Sequence, residues 1–143
     1  MTWRQYTCDI SGKPAIILVD DRFAQQERPE RLHQLSWFGV YCAEPPGAHL
    51  WAREETKALD QIEDDLVELA ETFGHNCAVY VLRIATPGIR EHYIYHSDSA
   101  ELSKAFSALK AVHPDYRIEF ETIDDPNWDQ YKKYVAFRLE SSP

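Results

Sequence analysis

The chain has 143 residues, 44% of them hydrophobic and 13% aromatic, with 24 acidic residues against 15 basic ones and a net charge of −9. That is enough apolar material for one self-sufficient domain, which at this length buries roughly 68–70% of the surface its unfolded chain would expose, and too much for disorder. The acidic balance argues against duplex DNA or an anionic membrane as a partner, since neutralising phosphates needs a basic footprint.

The start, "MTWRQYTCDI", has neither a cationic head nor an apolar core, and no run of about 18 apolar residues follows it, so neither a signal peptide nor a membrane span is expected. Cys8, Cys42 and Cys77 are an odd number at wide spacing with no C-x-x-C pair. They read as reduced thiols of a cytoplasmic protein.

Taken in order, "WRQYTCDI" and "PAIILVDDRF" read as a hairpin turned at Ser11-Gly12-Lys13. "AQQERPERLH" is polar and broken by Pro29, so it is a connection with a helical turn at most. "QLSWFGVYCA" (34–43) is rich in aromatic and β-branched residues and stops at Glu44-Pro45-Pro46-Gly47.

Residues 52–73 carry the clearest helical period. Leu59, Ile62, Leu66, Leu69, Ala70 and Phe73 recur every three or four positions, and Gly74 stands where an αL cap would. The other side holds Glu54, Glu55, Asp60, Glu63, Asp64, Asp65, Glu68 and Glu71, which reads as the wet face of the helix or as a dock for a basic protein. "NCAVYVLRIA" (76–85) and "IREHYIYHSD" (89–98) form a second hairpin around Thr86-Pro87-Gly88. Asp98 with Glu101 resembles a capping box for a helix with Leu102, Phe106 and Leu109 on one face, ended by His113-Pro114. "YRIEFETI" (116–123) alternates as a strand, and Asp125-Pro126 introduces a short helix carrying Trp128 and Tyr131.

From residue 34 the order is strand, helix, strand, strand, helix, strand. The expected class is therefore α+β, a ferredoxin-like split βαβ antiparallel sheet with its helices on one face. One domain spans 1–143, with an N-terminal hairpin and connection (1–33), the βαββαβ unit (34–123) and a C-terminal helix and tail (124–143).

Chemistry concentrates in "IREHYIYHSD". A two-residue turn pairs Thr86 with Ile89, Arg83 with His92, Leu82 with Tyr93, Val81 with Ile94, Tyr80 with Tyr95 and Val79 with His96. Tyr80, Leu82, Ile84, Tyr93 and Tyr95 then form the face beneath the helices. Arg83, Arg90, His92 and His96 lie on the opposite, open face, with Glu119 and Glu121 on a neighbouring strand. On that placement the double change Arg90→Ala, His92→Ala shifts stability by under about 0.5 kcal/mol. His92 and His96 are about 13 Å apart along a strand, too far to share an ion, so no metal is expected. No nucleotide loop, nucleophile elbow or zinc motif occurs, and no cofactor is implied.

Several of these stretches resemble the bacterial domain-of-unknown-function family 695: Trp3, "KPAIILVD" (13–20), "LDQIEDDLVELAE" (59–71), "TPGIREHYIYHSD" (86–98) and "DDPNWDQYKKYV" (124–135). The Gly88, Arg90, Glu91, Tyr93, Tyr95 and the Asp125, Trp128, Tyr131 patterns carry most of the likeness. The resemblance implies no activity or catalytic residue. It implies an association with domains similar to the regulator of ribonuclease E activity, hence a regulatory role by analogy.

The leading expectation is a non-enzymatic module that binds a protein, or a second copy of itself, through Arg83, Arg90 and His92 on an open sheet face or through the acidic helix. The alternative is a small enzyme whose pocket lies between the sheet and the N-terminal hairpin, using Arg90 as anion clamp and His92 as acid or base. A third is an acidic immunity-type antitoxin.

Overall fold

The computed structural model describes residues 3–25, 29–47, 49–74, 77–97 and 99–141. Its elements are β1 (Trp3–Ile10), β2 (Lys13–Asp20), α1 (Arg22–Gln25), β3 (Gln34–Tyr41), α2 (Thr56–Phe73), β4 (Ala78–Thr86), β5 (Ile89–His96), α3 (Ser99–Val112), β6 (Ile118–Asp124) and α4 (Asp129–Ser141). The fold is α+β. All six strands form one sheet in the order β1-β2-β4-β5-β3-β6, and every neighbouring pair is antiparallel. The strand-helix-strand-strand-helix-strand order from β3 to β6 is the one the periodicities predict. Among the described residues no helix is long and apolar enough to cross a membrane.

Local chemistry explains the turns. Ile10 pairs with Lys13, so the first hairpin closes on two residues, Ser11 at φ 51° and Gly12 at φ 80°, both in the positive region that such tight loops require. Pro87 and Gly88 (φ 85°) close the second in the same count, with proline pre-set for the first turn position and glycine free to take the second. Helix α2 is entered through a 3₁₀ turn at Arg53–Glu55. Gly74 stops it with positive φ but extended ψ (77°, 158°) rather than in the αL conformation. The expected capping residue Asp98 lies outside the described residues.

The sheet is covered on both faces. Under α2 and α3, Phe38, Val40, Ile94 and Ile118 of the sheet meet Leu59, Ile62, Leu66, Leu102 and Leu109. On the other face Ile17, Val19, Leu35, Leu82, Ile84 and Tyr95 meet Leu32, Trp128, Tyr131 and Val135. Helix α4 is thus a second lid. It is 13 residues long, and Trp128 immediately precedes it at φ 57°. That backbone turns the indole inward: Trp128 stacks on Tyr95 at 4.1 Å with 7° between the rings, and its Nε1 donates to Leu32 O at 2.7 Å. Asp125 holds the start of α4, accepting the N–H groups of Asp129 (2.8 Å) and Gln130 (3.1 Å) and the Tyr95 hydroxyl (2.6 Å).

Candidate functional site

The β4–β5 register keeps the expected pairs Thr86–Ile89, Arg83–His92 and Leu82–Tyr93, then shifts between Tyr80 and Leu82. Beyond the bulge Tyr80 pairs with Ile94 and Val79 with Tyr95, not Tyr80 with Tyr95 and Val79 with His96 as expected. The extra residue lets Val81 and Leu82 both enter the α4-side core, and it moves Tyr80 to the face beneath α2.

That face also carries Arg83, Arg90 and His92, so the expected open face is corrected. Arg90 is 1% exposed and His92 0%. The more apolar face, with Leu82, Ile84, Tyr93 and Tyr95, is covered as its composition demands, but by α4 rather than by α2 and α3. The polar face can be buried because α2 brings its counter-charges. Arg83 Nη1 donates to Glu63 Oε1 at 2.7 Å, and Arg90 Nη1 donates to Asp60 Oδ1 at 3.0 Å with Glu63 Oε1 3.6 Å away. The Arg90 guanidinium also lies 4.1 Å over the Trp51 ring.

His92 shares a 2.9 Å hydrogen bond through Nδ1 with the Tyr80 hydroxyl. Burial, then the charges of Arg83 and Arg90, lower its pKa to about 3, so the ring is neutral at pH 7. As placed, it has no exposed surface from which to exchange a proton with a substrate. His96 lies farther along, its Nε2 2.6 Å from Ser36 Oγ, which is 2.6 Å from Thr122 Oγ1. Glu119 and Glu121 do not join these groups. Gly39 stands between Glu91 and Glu119 in the register, which places Glu119 on the opposite face, where it pairs with Arg117 at 2.6 Å and accepts from Tyr41 at 3.0 Å.

The acidic side of α2 is likewise divided. Glu55 is buried: burial alone would raise its carboxyl, but the N–H groups of Ala43 (2.9 Å) and Glu44 (2.6 Å) and the Tyr116 hydroxyl (2.8 Å) carry it below the usual carboxylate value. Asp65 contacts His113 at 2.6 Å. Glu54, Asp64, Glu68 and Glu71 remain exposed.

The sequence places a pocket between the sheet and the N-terminal hairpin; what it does not show is a groove between that hairpin and α2. The cluster beneath α2 and α3 contains no residue of β1 or β2, so the hairpin extends the sheet past the cover of its helices. Its α2-side face, with Thr7 opposite Ile16 and Gln5 opposite Leu18, flanks the helix uncovered. Two concavities lie along it. One, of about 880 Å³, sits at the start of α2 between Thr7, Pro14 and Ile16 on the hairpin and Leu50, Trp51 and Arg53. The other, of about 650 Å³, sits at the helix end between Trp3 and Leu18 and the α2 residues Asp64, Val67 and Glu71. A readable signal existed: Ile16 and Leu18 are apolar on a hairpin face to which the predicted helices assign no cover. Among the described residues no group of three or more His, Cys, Asp or Glu side chains could hold a metal ion, and the three cysteines are free.

The chain belongs to a family of unknown function, DUF695, whose family model matches residues 1–136. A comparison with curated proteins finds no match. The family match carries no activity and no link to ribonuclease E regulation.

Proposed function

From membership of a family with no assigned activity, we propose that this chain is a non-enzymatic protein-binding module whose contact surface is the groove between the N-terminal hairpin and α2. The observation that supports the reading is the uncovered hairpin face, with concavities of about 880 and 650 Å³ on one side of one helix. Concavities of that size, with apolar walls and charged groups at their rims, can seat a partner's side chains. Arg83, Arg90 and His92 serve such a site from behind. Arg83 and Arg90 fix α2 against the sheet and so set the width of the groove, and His92 holds Tyr80 in place, none of them touching the partner. The net charge of −9 favours a protein over a nucleic acid. Three free thiols suit the reducing cytoplasm as the place of action. An immunity-type antitoxin is one form of the same reading.

The test fills the groove. Gln5 and Thr7 are exposed, and Gln5→Trp with Thr7→Trp places two indoles on the hairpin wall at little cost to folding. Co-purification from the native host is compared for wild type and this variant, both verified as folded by circular dichroism. A protein retained by the wild type and lost from the variant is the expected result. A protein retained equally by both, or retention of small molecules alone, would refute the reading.

A further inference from the structure

The two ends of the groove differ in charge. At the start of α2, His49 and Arg53 stand with Asp9 around the apolar wall of Ile16, Leu50 and Trp51. At the end of α2 the lining includes four carboxylates, Asp20, Glu63, Asp64 and Glu71, and one cation, Arg22. Two of these acids are already committed: Asp20 is 3.2 Å from Arg22 Nη2, and Glu63 serves Arg83 and Arg90. The side chains of Asp64 and Glu71 form no ion pair or hydrogen bond among the described residues, and both are exposed. They are seven positions apart, two helical turns and roughly 10 Å along the axis, with Val67 between them on the same stripe. Facing this stripe is an aromatic pair, Trp3 and Tyr80, with ring centroids 5.2 Å apart.

Carboxylates at the rim and an indole in the wall favour one kind of guest. A cation on an aliphatic stem lays its methylenes on the apolar floor and its charge between acids and over a ring. Resting on the reading of the groove as a protein-binding surface, we infer that its acidic end seats a lysine or arginine side chain from an extended segment of a partner protein, held beside Trp3 between Asp64 and Glu71. The same segment places an apolar side chain in the wider cavity by Leu50 and Trp51. Helix α2 has 18 residues and is about 27 Å long, so a strand-like segment of about eight residues spans both ends. A second copy of the chain is the poorer occupant, since each copy carries −9.

The test is selection of a displayed random decapeptide library on the immobilised full chain, in parallel with the charge-reversal variant Asp64→Lys, Glu71→Lys. Both changes lie on the exposed face of α2, and thermal unfolding verifies that the variant folds. The expected result is enrichment of peptides pairing a Lys or Arg with an apolar residue several positions away. A synthetic peptide of the enriched sequence, measured by fluorescence anisotropy, should bind the reversal variant at least about tenfold more weakly. Enriched apolar peptides with no basic preference, bound equally by both proteins, would overturn the inference and leave the groove reading standing. Enriched sequences that bind the Gln5→Trp, Thr7→Trp variant undiminished, or no enrichment at all, would overturn both. A dimer in sedimentation equilibrium that the reversal dissolves would replace the partner segment with a second copy and refute the inference.

Discussion

Glu63→Gln tests the central claim of the site, that α2 is anchored by buried ion pairs. The Glu63 carboxylate is 17% exposed and lies 2.7 Å from Arg83 and 3.6 Å from Arg90, whose side chains are 12% and 2% exposed. Removing its charge leaves Arg83 with no carboxylate partner among the described residues, and Arg90 with only Asp60, which is 57% exposed and well screened. Stripping one partner from a buried pair costs about 3–5 kcal/mol, because the other charge stays desolvated and unpaired. The surviving Asp60 contact places the expectation at the lower end, about 3 kcal/mol. An unfolding entropy of about 2.1 cal/mol/K per residue over 143 residues is roughly 0.3 kcal/mol/K, so Tm should fall by about 10 °C. Thermal and urea unfolding followed by circular dichroism read this directly. Adding Arg83→Met should recover part of the loss, since the second substitution removes the stranded charge. A Tm within about 2 °C of wild type would mean that Arg83 and Arg90 are solvated, and the burial of this face beneath α2 would be wrong. The same reasoning reverses the expectation for Arg90→Ala with His92→Ala, which now removes two buried side chains instead of trimming a wet surface.

Asp125→Ala should cost about 2–3 kcal/mol, because one carboxylate caps two N–H groups of α4 and accepts the buried Tyr95 hydroxyl. Hydrogen exchange should show the loss first in α4, and protection there equal to wild type would refute the capping role. His92 titrates in the folded chain only near pH 3, while the unfolded chain takes up that proton near 6.5. Between those values the unfolded state binds more protons, so the stability that His92 withholds from the unfolded state is fully present above about 6.5 and is lost as pH falls toward 3. Imidazole ¹⁵N shifts of His92 should therefore stay at neutral values from pH 8 down to 4.5, and a midpoint near 6.5 would place the ring in water.

The element order was legible because its signals are local and strong: the 3.6-residue period of 59–73, the alternation of 116–123 and two turns with glycine at fixed offsets. The sheet faces were not. Polarity assigned Arg83, Arg90 and His92 to water, yet a polar face can be buried when a helix supplies matching charges, and pairing across 20 or 30 residues leaves no local trace. Val81-Leu82 did carry a hint, since two adjacent buried apolar residues break the alternation and mark the bulge that carries Tyr80 to His92. The role of α4 was understated for a related reason. Trp128 and Tyr131 were read as sealing the end of the core, whereas the positive φ at Trp128 sets them across a whole sheet face.

The acidic run on α2 ties these results together. Asp60, Glu63, Asp64, Val67 and Glu71 follow one another at three-, one-, three- and four-residue steps, forming a stripe along the flank of α2 that faces the hairpin. In the first half of the stripe Arg83 and Arg90 rise from the sheet and balance Asp60 and Glu63, two charges against two, so that half serves as an anchor. In the second half the bulge has moved Tyr80 onto this face, and the sheet offers Asp64 and Glu71 an aromatic wall in place of an arginine. Those carboxylates stay uncompensated while the groove opens beside them. One amphipathic pattern therefore has a compensated half and an uncompensated half, and the boundary between them is set by β4: Arg83 lies on the turn side of the register shift between Tyr80 and Leu82, and Tyr80 on the other side.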